Sequence, residues 1–578
     1  MKNYTLKNLF NYSNYFINWS KNLLKTFLHL VFDLDKKILI FLILFLIGVI
    51  QYYYLLGYNF SFYYASADYI DATNRMFDLG WPIISNNTAN TRTWFYPFIL
   101  KIFGSGSLNF LQIIFWQNLL TCFFPCIIFL VLINLNRELK FNFIFCLILS
   151  ISCCLLVFSR TLLNEVPYII LTSLFCVLSL VLIDFQKKIL IFLPLIVVCF
   201  FLLATRPTGI VFSITLIFLL FIYFRYSQIN IKLLLYSILF IFLVIFANNL
   251  LNKKLNSDYT SGAFIFSTIN IIPYLGNKHE KQLKFDPINI NSHKQILQLM
   301  SDYETTYRGI KAQKKHIKKI NINIEKDSCK FLGTKLSSCF LMYANLETYW
   351  QAKWIYINKF GLNGANKRLK ELAFETIIND PIEYFKIFSK NFFWFLVGTG
   401  GGKNISYERN EFGPYLKNNN HTKFFTRYIK KNSETTYDPF TIKIANKLLG
   451  KDYEEVLNKI NSNVNYKTLD KKHKNFRYYF TPIFNITWLL GIFSGMILIL
   501  MFSINLFSRN FDKLFREELI IGACLFLVLI GHAITISLTH PPLGRYLIPL
   551  QPISITLFVI ICRIILIKYK EIKINISI

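Results

Sequence analysis

Residues 189–225 read ILIFLPLIVVCFFLLATRPTGIVFSITLIFLLFIYFR, two apolar runs parted by the turn Arg206-Pro207. Arg206 and Arg225 are the charged residues of the stretch. A helix needs roughly 20 mainly apolar residues to cross a bilayer. Ile189–Ala204 and Gly209–Tyr223 therefore read as two consecutive membrane helices joined by a short polar turn. The same pattern recurs at Ile38–Leu56, Leu108–Leu135, Phe141–Phe158, Glu165–Ile183, Ile231–Ala247, Ile483–Leu506, Glu518–Leu538 and Tyr546–Ile567. With 54% apolar residues in the chain, the expected fold class is an all-α polytopic membrane protein. It should have about ten or more transmembrane helices and a mainly helical external domain.

Charge sets the expected orientation. Lys36 and Lys37 precede the first span, and Arg137 and Lys140 sit between the second and third. Lys187 and Lys188, then Arg225 and Lys232, then Arg509, Lys513 and Arg516 fill alternate loops, and Lys568 and Lys570 follow the last span. Counted span by span, all fall on one side, which makes that side cytoplasmic and both termini cytoplasmic. The first span lacks a small-residue cleavage site and reads as an anchor. The formal charge of +31 is spread over these loops and a Lys- and Asn-rich external region, so a nucleic-acid partner is not expected. Attraction to anionic membrane lipids is. Nine of the eleven cysteines lie in the spans and read as small apolar side chains. Cys329 and Cys339, both external, are the disulfide candidate.

The chain divides into four parts. Residues 1–37 read as a cytoplasmic amphipathic lead. Residues 38–247 hold seven spans and an external loop, 57–107, with a helical stretch from Asp68 to Leu79 and a short helix from Pro97 to Phe103. Residues 248–482 form a long external (periplasmic) region. In it Asn366–Leu396 reads as a helix pair broken at Pro381, with Phe385–Val397 interfacial or re-entrant. The glycine run 398–402 then reads as a turn, and 403–480 as a small polar domain. Residues 483–578 hold three spans and a basic tail.

Seven polar residues interrupt or flank the spans on the side away from the basic loops: Asp68, Asp71, Arg92, Glu165, Arg206, His540 and Arg545. Each has a plain account. Asp68 and Asp71, at i and i+3 on one helix face, suit a helix N-terminus. Arg92 opens Arg-Thr-Trp-Phe-Tyr-Pro, where Trp94 and Tyr96 suit interfacial anchoring. Glu165, with Arg160 before it, suits an ion pair closing two helices, and Arg206 and Arg545 suit snorkelling. Their shared side argues for more, since ionisable groups at membrane helix ends are costly. An acid there can act as general base, and a guanidinium can grip phosphate bidentately. No serine sits in a nucleophile elbow and His532 lies within a span, which disfavours a hydrolase triad. No zinc-type Cys/His spacing occurs.

These residues, in order, resemble the GT-C superfamily of polytopic glycosyltransferases, in the bacterial branch related to protein O-mannosyltransferases and aminoarabinose lipid A transferases. The likeness is carried by Ser66-Ala67-Asp68-Tyr69 running to Gly80, by Arg92 and Tyr96-Pro97, and by Asn164-Glu165. It continues in Thr205-Arg206-Pro207, in Asn379-Asp380-Pro381-Ile382-Glu383-Tyr384, and in Arg545-Tyr546 followed by Pro549. The adjacent Asp-Glu pair of the mannosyltransferases is absent, because Tyr69 follows Asp68. The resemblance implies transfer of a sugar from a polyprenyl-phosphate donor to a lipid, glycan or protein acceptor at the outer face of a bacterial inner membrane. Asp68 would be the catalytic base. Arg206, Arg545 and Arg92 would bind the donor phosphate, and Asp71, Glu165, Tyr96, His540 and Tyr546 would support the site. No cofactor is required; a divalent cation is conceivable but not indicated. Two other classes fit a polytopic chain with a large external loop. An O-antigen ligase or polymerase would lean on external Arg and His540. A lipid or glycan transporter would place charges near the bilayer midplane.

Overall fold

A computed structural model describes residues 36–56, 69, 73, 93–103, 110–135, 139–152, 155–156, 159, 164–184, 189–227, 231–255, 377–378, 381–398, 466–508, 515–539 and 544–577. Among them there is helix and no strand. The helices are α1 (Lys36–Leu56), α2 (Phe95–Phe103), α3 (Phe110–Leu135), α4 (Leu139–Ile151), α5 (Glu165–Asp184), α6 (Ile189–Thr205), α7 (Ile210–Ser227) and α8 (Ile231–Leu255). They continue as α9 (Pro381–Val397), α10 (Tyr466–Ser508), α11 (Arg516–Thr539), α12 (Gly544–Leu547) and α13 (Gln551–Ser577). Single 3₁₀ turns, Pro207–Gly209 and Ile548–Leu550, lead into α7 and α13.

Seven described helices are long and apolar enough to cross a membrane: α1, α3, α5, α7, α10, α11 and α13. Shorter apolar helices, Phe141–Ile151, Leu190–Thr205 and Leu235–Leu251, fall on the other three stretches read as spans. This is a multi-pass membrane protein. Helix α5 is central. Within Glu165–Ile183, 78% of residues are buried, against 11% in Lys36–Tyr53 of α1. It packs on α3, α6, α11 and α13. Helices α1 and α8 turn rows of Leu, Ile and Phe outward, among them Leu46, Ile50, Leu239 and Phe246. Apolar surface on that scale belongs against lipid chains.

Close approach of α10 to its neighbours depends on Gly491 and Gly495, a small-xxx-small pair of the kind that lets membrane helices touch backbone to backbone. A Cβ on Gly491 would lie 2.0 Å from Ser554 Oγ of α13 and 2.5 Å from Ser554 Cα; one on Gly495 would lie 2.1 Å from the Phe526 ring of α11. Polar bonds fix the same seam. Ser554 Oγ donates to Thr487 O at 2.6 Å, and Gln551 Nε2 donates to Thr487 Oγ1 at 2.8 Å.

Helix α9 starts at Pro381, where a missing N–H costs nothing, and packs against α11. Tyr384 Oη donates to Leu538 O at 3.0 Å, and Trp488 Nε1 donates to Leu396 O at 3.0 Å. Gly398 ends the helix at φ 73°, the left-handed conformation that glycine takes freely. At 17 residues α9 is absent from the membrane-length helices. Its Asn391 and Phe395 are buried while Phe385 and Phe393 are exposed. Helix α10 is continuous from Tyr466 through residues 482 and 483, where the sequence reading divided external region from span. Helix α4 ends at Ile151, short of the expected Phe158.

Candidate functional site

Arg206 sits where α6 stops. Its backbone is extended, φ −148° and ψ 141°, and Pro207 opens the 3₁₀ turn that reverses the chain into α7. The last carbonyls of a helix have no intrahelical donor, and Pro207 has no N–H to offer. Thr205 O is satisfied instead from two distant segments, by Thr93 Oγ1 at 2.6 Å and Asn164 Nδ2 at 2.9 Å. The turn is tight enough that a Cβ on Gly209 would lie 2.4 Å from the Leu202 carbonyl carbon.

The Arg206 side chain is only 9% exposed and is held from every side described. Nε and Nη2 donate to Asn164 Oδ1 at 3.3 and 3.2 Å. Nη2 also donates to Glu165 Oε1 in an ion pair. The guanidinium carbon lies 5.2 Å from the Tyr168 ring centroid and 5.8 Å from that of Tyr546. A planar cation flanked by aromatic faces gains attraction that grows as water is removed. Glu165, the first residue of α5, is 2% exposed, and its Oε2 has no hydrogen-bond partner among the described residues.

Beneath the arginine, a polar chain continues into the bundle. Tyr168 Oη lies 2.8 Å from His532 Nε2 of α11 and 3.3 Å from Thr208 Oγ1. His532 Nδ1 lies 2.9 Å from Val528 O. The Phe212 ring packs edge-on against both His532 and Tyr168.

Of the residues singled out from sequence, Glu165, Arg206 and Tyr546 come together here. Tyr96 is bonded elsewhere as well. It is fully buried, its hydroxyl donates to Gln117 Oε1 at 3.0 Å, and its ring meets Tyr69 edge-on. Arg545 lies on α12, next to Tyr546 in sequence, and its side chain is outside the described atoms. Asp68, Asp71, Arg92, His540, Cys329 and Cys339 lie outside the described residues. Tyr69 and Thr73, which flank the two aspartates, are described. Thr73 Oγ1 bonds Tyr69 O at 2.7 Å and Pro97 O at 3.3 Å, tying that stretch to α2. Glu165 pairs with Arg206, the residue after α6; Arg160, offered by the sequence as its partner, lies outside the described residues.

Sequence reasoning gave Thr93, Tyr168 and Thr208 no role and used His532 only against a hydrolase triad. Tyr168 was within reach, since i+3 from Glu165 puts it on the same face of α5. So was His532, an ionisable side chain inside a span. The cysteines described in the spans are free thiols, mostly buried. The chain matches no known family model, no curated protein and no solved structure.

Proposed function

We propose that this protein is a membrane glycosyltransferase of the GT-C kind, with ten or more spans in a bacterial inner membrane and an external domain. Its donor is a sugar carried on polyprenyl phosphate, and its acceptor is a hydroxyl on a lipid, glycan or protein at the outer face. Asp68 takes the acceptor proton as the oxygen attacks the anomeric carbon with inversion. Arg206, Arg545 and Arg92 hold the phosphate that leaves with the lipid, where fixed positive charge stabilises the developing anion. Asp71, Tyr96 and His540 stand behind them.

What supports the reading is one observation. Glu165, Arg206 and Tyr546 come from three remote segments and meet at a single desolvated guanidinium. A cation caged in this way is already oriented before ligand arrives, which is the condition for strong electrostatic binding. The Glu165 partner keeps the cage neutral while it is empty, and a phosphate would compete for Arg206 with it.

The test is chemical analysis of lipid-linked sugars and surface glycans in a strain lacking the gene. Accumulated polyprenyl-phosphate sugar together with one missing glycan decoration is the expected result. A strain whose lipid-linked sugars and glycans are both unchanged would overturn the reading.

A further inference from the structure

We infer that His532, inside α11, is a positioning residue for the Arg206 guanidinium and acts on it through Tyr168. The inference deepens the proposed function and rests on its reading of Arg206 as the group that receives the donor phosphate.

The protons along this chain can be assigned. A backbone carbonyl only accepts, so the contact of His532 Nδ1 with Val528 O at 2.9 Å requires the proton on Nδ1. In the neutral imidazole Nε2 then carries the lone pair, to which Tyr168 Oη donates at 2.8 Å. The tyrosine oxygen keeps lone pairs for Thr208 Oγ1 at 3.3 Å. The chain ends at Val528 O, a helical carbonyl that has no proton to give and cannot pass one on. It is therefore a brace and not a proton relay. Core packing confines the Tyr168 ring, which is 1% exposed, and its hydroxyl fixes the ring further where it is tied. Here it is tied to an imidazole that is 1% exposed and bonded to its own helix. Phe212 fills the space beside both rings, 5.1 Å from His532 and 6.3 Å from Tyr168. The ring pinned this way is the one that lies 5.2 Å from Arg206 Cζ. A histidine in a membrane helix is costly without a partner, and His532 of α11 is partnered by the hydroxyl of Tyr168, one of the two rings over Arg206.

The experiment uses the full chain in detergent or nanodiscs, with a short-chain polyprenyl phosphate as probe. H532L removes the acceptor, Y168F removes the donor and keeps the ring, and H532Q offers an amide that can both accept and donate. Losing a hydrogen bond worth ~1 kcal/mol weakens binding by up to about fivefold, the full value applying where the bond matters only to the bound state. H532L and Y168F should each show that loss, their combination should be no weaker than either alone, and H532Q should stay within about twofold of the parent. A second arm needs no ligand: the melting shifts of H532L and R206K should fall short of additive when combined. Unchanged affinity in both H532L and Y168F, or strictly additive melting shifts, overturns the inference. A parent protein that binds no polyprenyl phosphate yet shows the non-additive melting would overturn the donor reading and leave His532 as the brace of Arg206.

Discussion

Removing one partner of a buried ion pair leaves the other charge with neither water nor counterion, at a cost of ~3–5 kcal/mol. Glu165 and Arg206 form such a pair, so Glu165→Ala should lower unfolding stability by roughly that amount. Adding Arg206→Ala should recover part of the loss, as read by chemical or thermal unfolding in detergent. A double-variant loss equal to the sum of the two single losses would mean that the pair is not coupled. The chain contains a second such pair, Arg563 Nε to Glu518 Oε1 at 2.9 Å, with Arg563 over the Phe141 ring. If both pairs only clamp helices, lysine should cost about the same at either place, since each arginine lies over an aromatic ring. A phosphate site needs the planar fork. Arg206→Lys should therefore lower sugar transfer at least about tenfold while Arg563→Lys stays within about twofold, measured by transfer from the lipid-linked donor. The residues legible from sequence were those that break apolar text at helix ends: Glu165, Arg206 and Tyr546. His532 was visible but mute, because its meaning is a hydrogen bond to a residue 364 positions away.

Helices were legible because a membrane span must be apolar along its length, and the apolar runs mark them directly. Their ends were less so. Hydropathy stops where charge begins, but a helix stops where its backbone bonds stop, so α10 runs back through Asp470, Lys471, Lys472 and Lys474. Contacts between helices were not legible at all, and glycine carries several of them. Gly491→Ala would bring its new methyl against Ser554 Oγ and Cα together. Forced overpacking of this kind costs ~1–3 kcal/mol, and Ser554→Ala should rescue little, since the Cα remains. A lower melting temperature with that weak rescue is the expected result; full rescue would place the clash on the hydroxyl alone. Helix α9 offers a test of a different kind. Among the described residues, side-chain bonds from Tyr384 and from Trp488 tether it. A helix resists proteases until it opens locally. Tyr384→Phe combined with Trp488→Phe should speed tryptic cleavage at Lys386 and Lys390 with the rest of the chain intact, and an unchanged digestion rate would show that packing on α11 alone holds the helix.

At the scale of the whole molecule, two buried ion pairs among the described residues mark two levels of the bundle. Arg206, Glu165 and Tyr546 form one. Tyr223 bonded to Glu517, with Glu518 and Arg563, forms the other. Helix α7 joins them. From Ile210 to Tyr223 a rise of ~1.5 Å per residue separates the two by about 20 Å, most of a hydrocarbon core. The two levels should therefore face opposite sides of the membrane. The lower level adjoins the basic loops around Arg225 and Arg509–Arg516, and basic short loops stay in the cytoplasm. In the orientation proposed for the protein, Arg206 and any ligand it holds face outward. Epitope tags inserted at positions 187 and 512 should be reached by antibody only after permeabilisation, and tags at 88 and 420 in intact spheroplasts. A tag at 187 reached from outside would invert the molecule. The caged arginine would then face the cytoplasm, where nucleotide sugars are at hand, and a donor carried outward on a lipid would have no reason to exist.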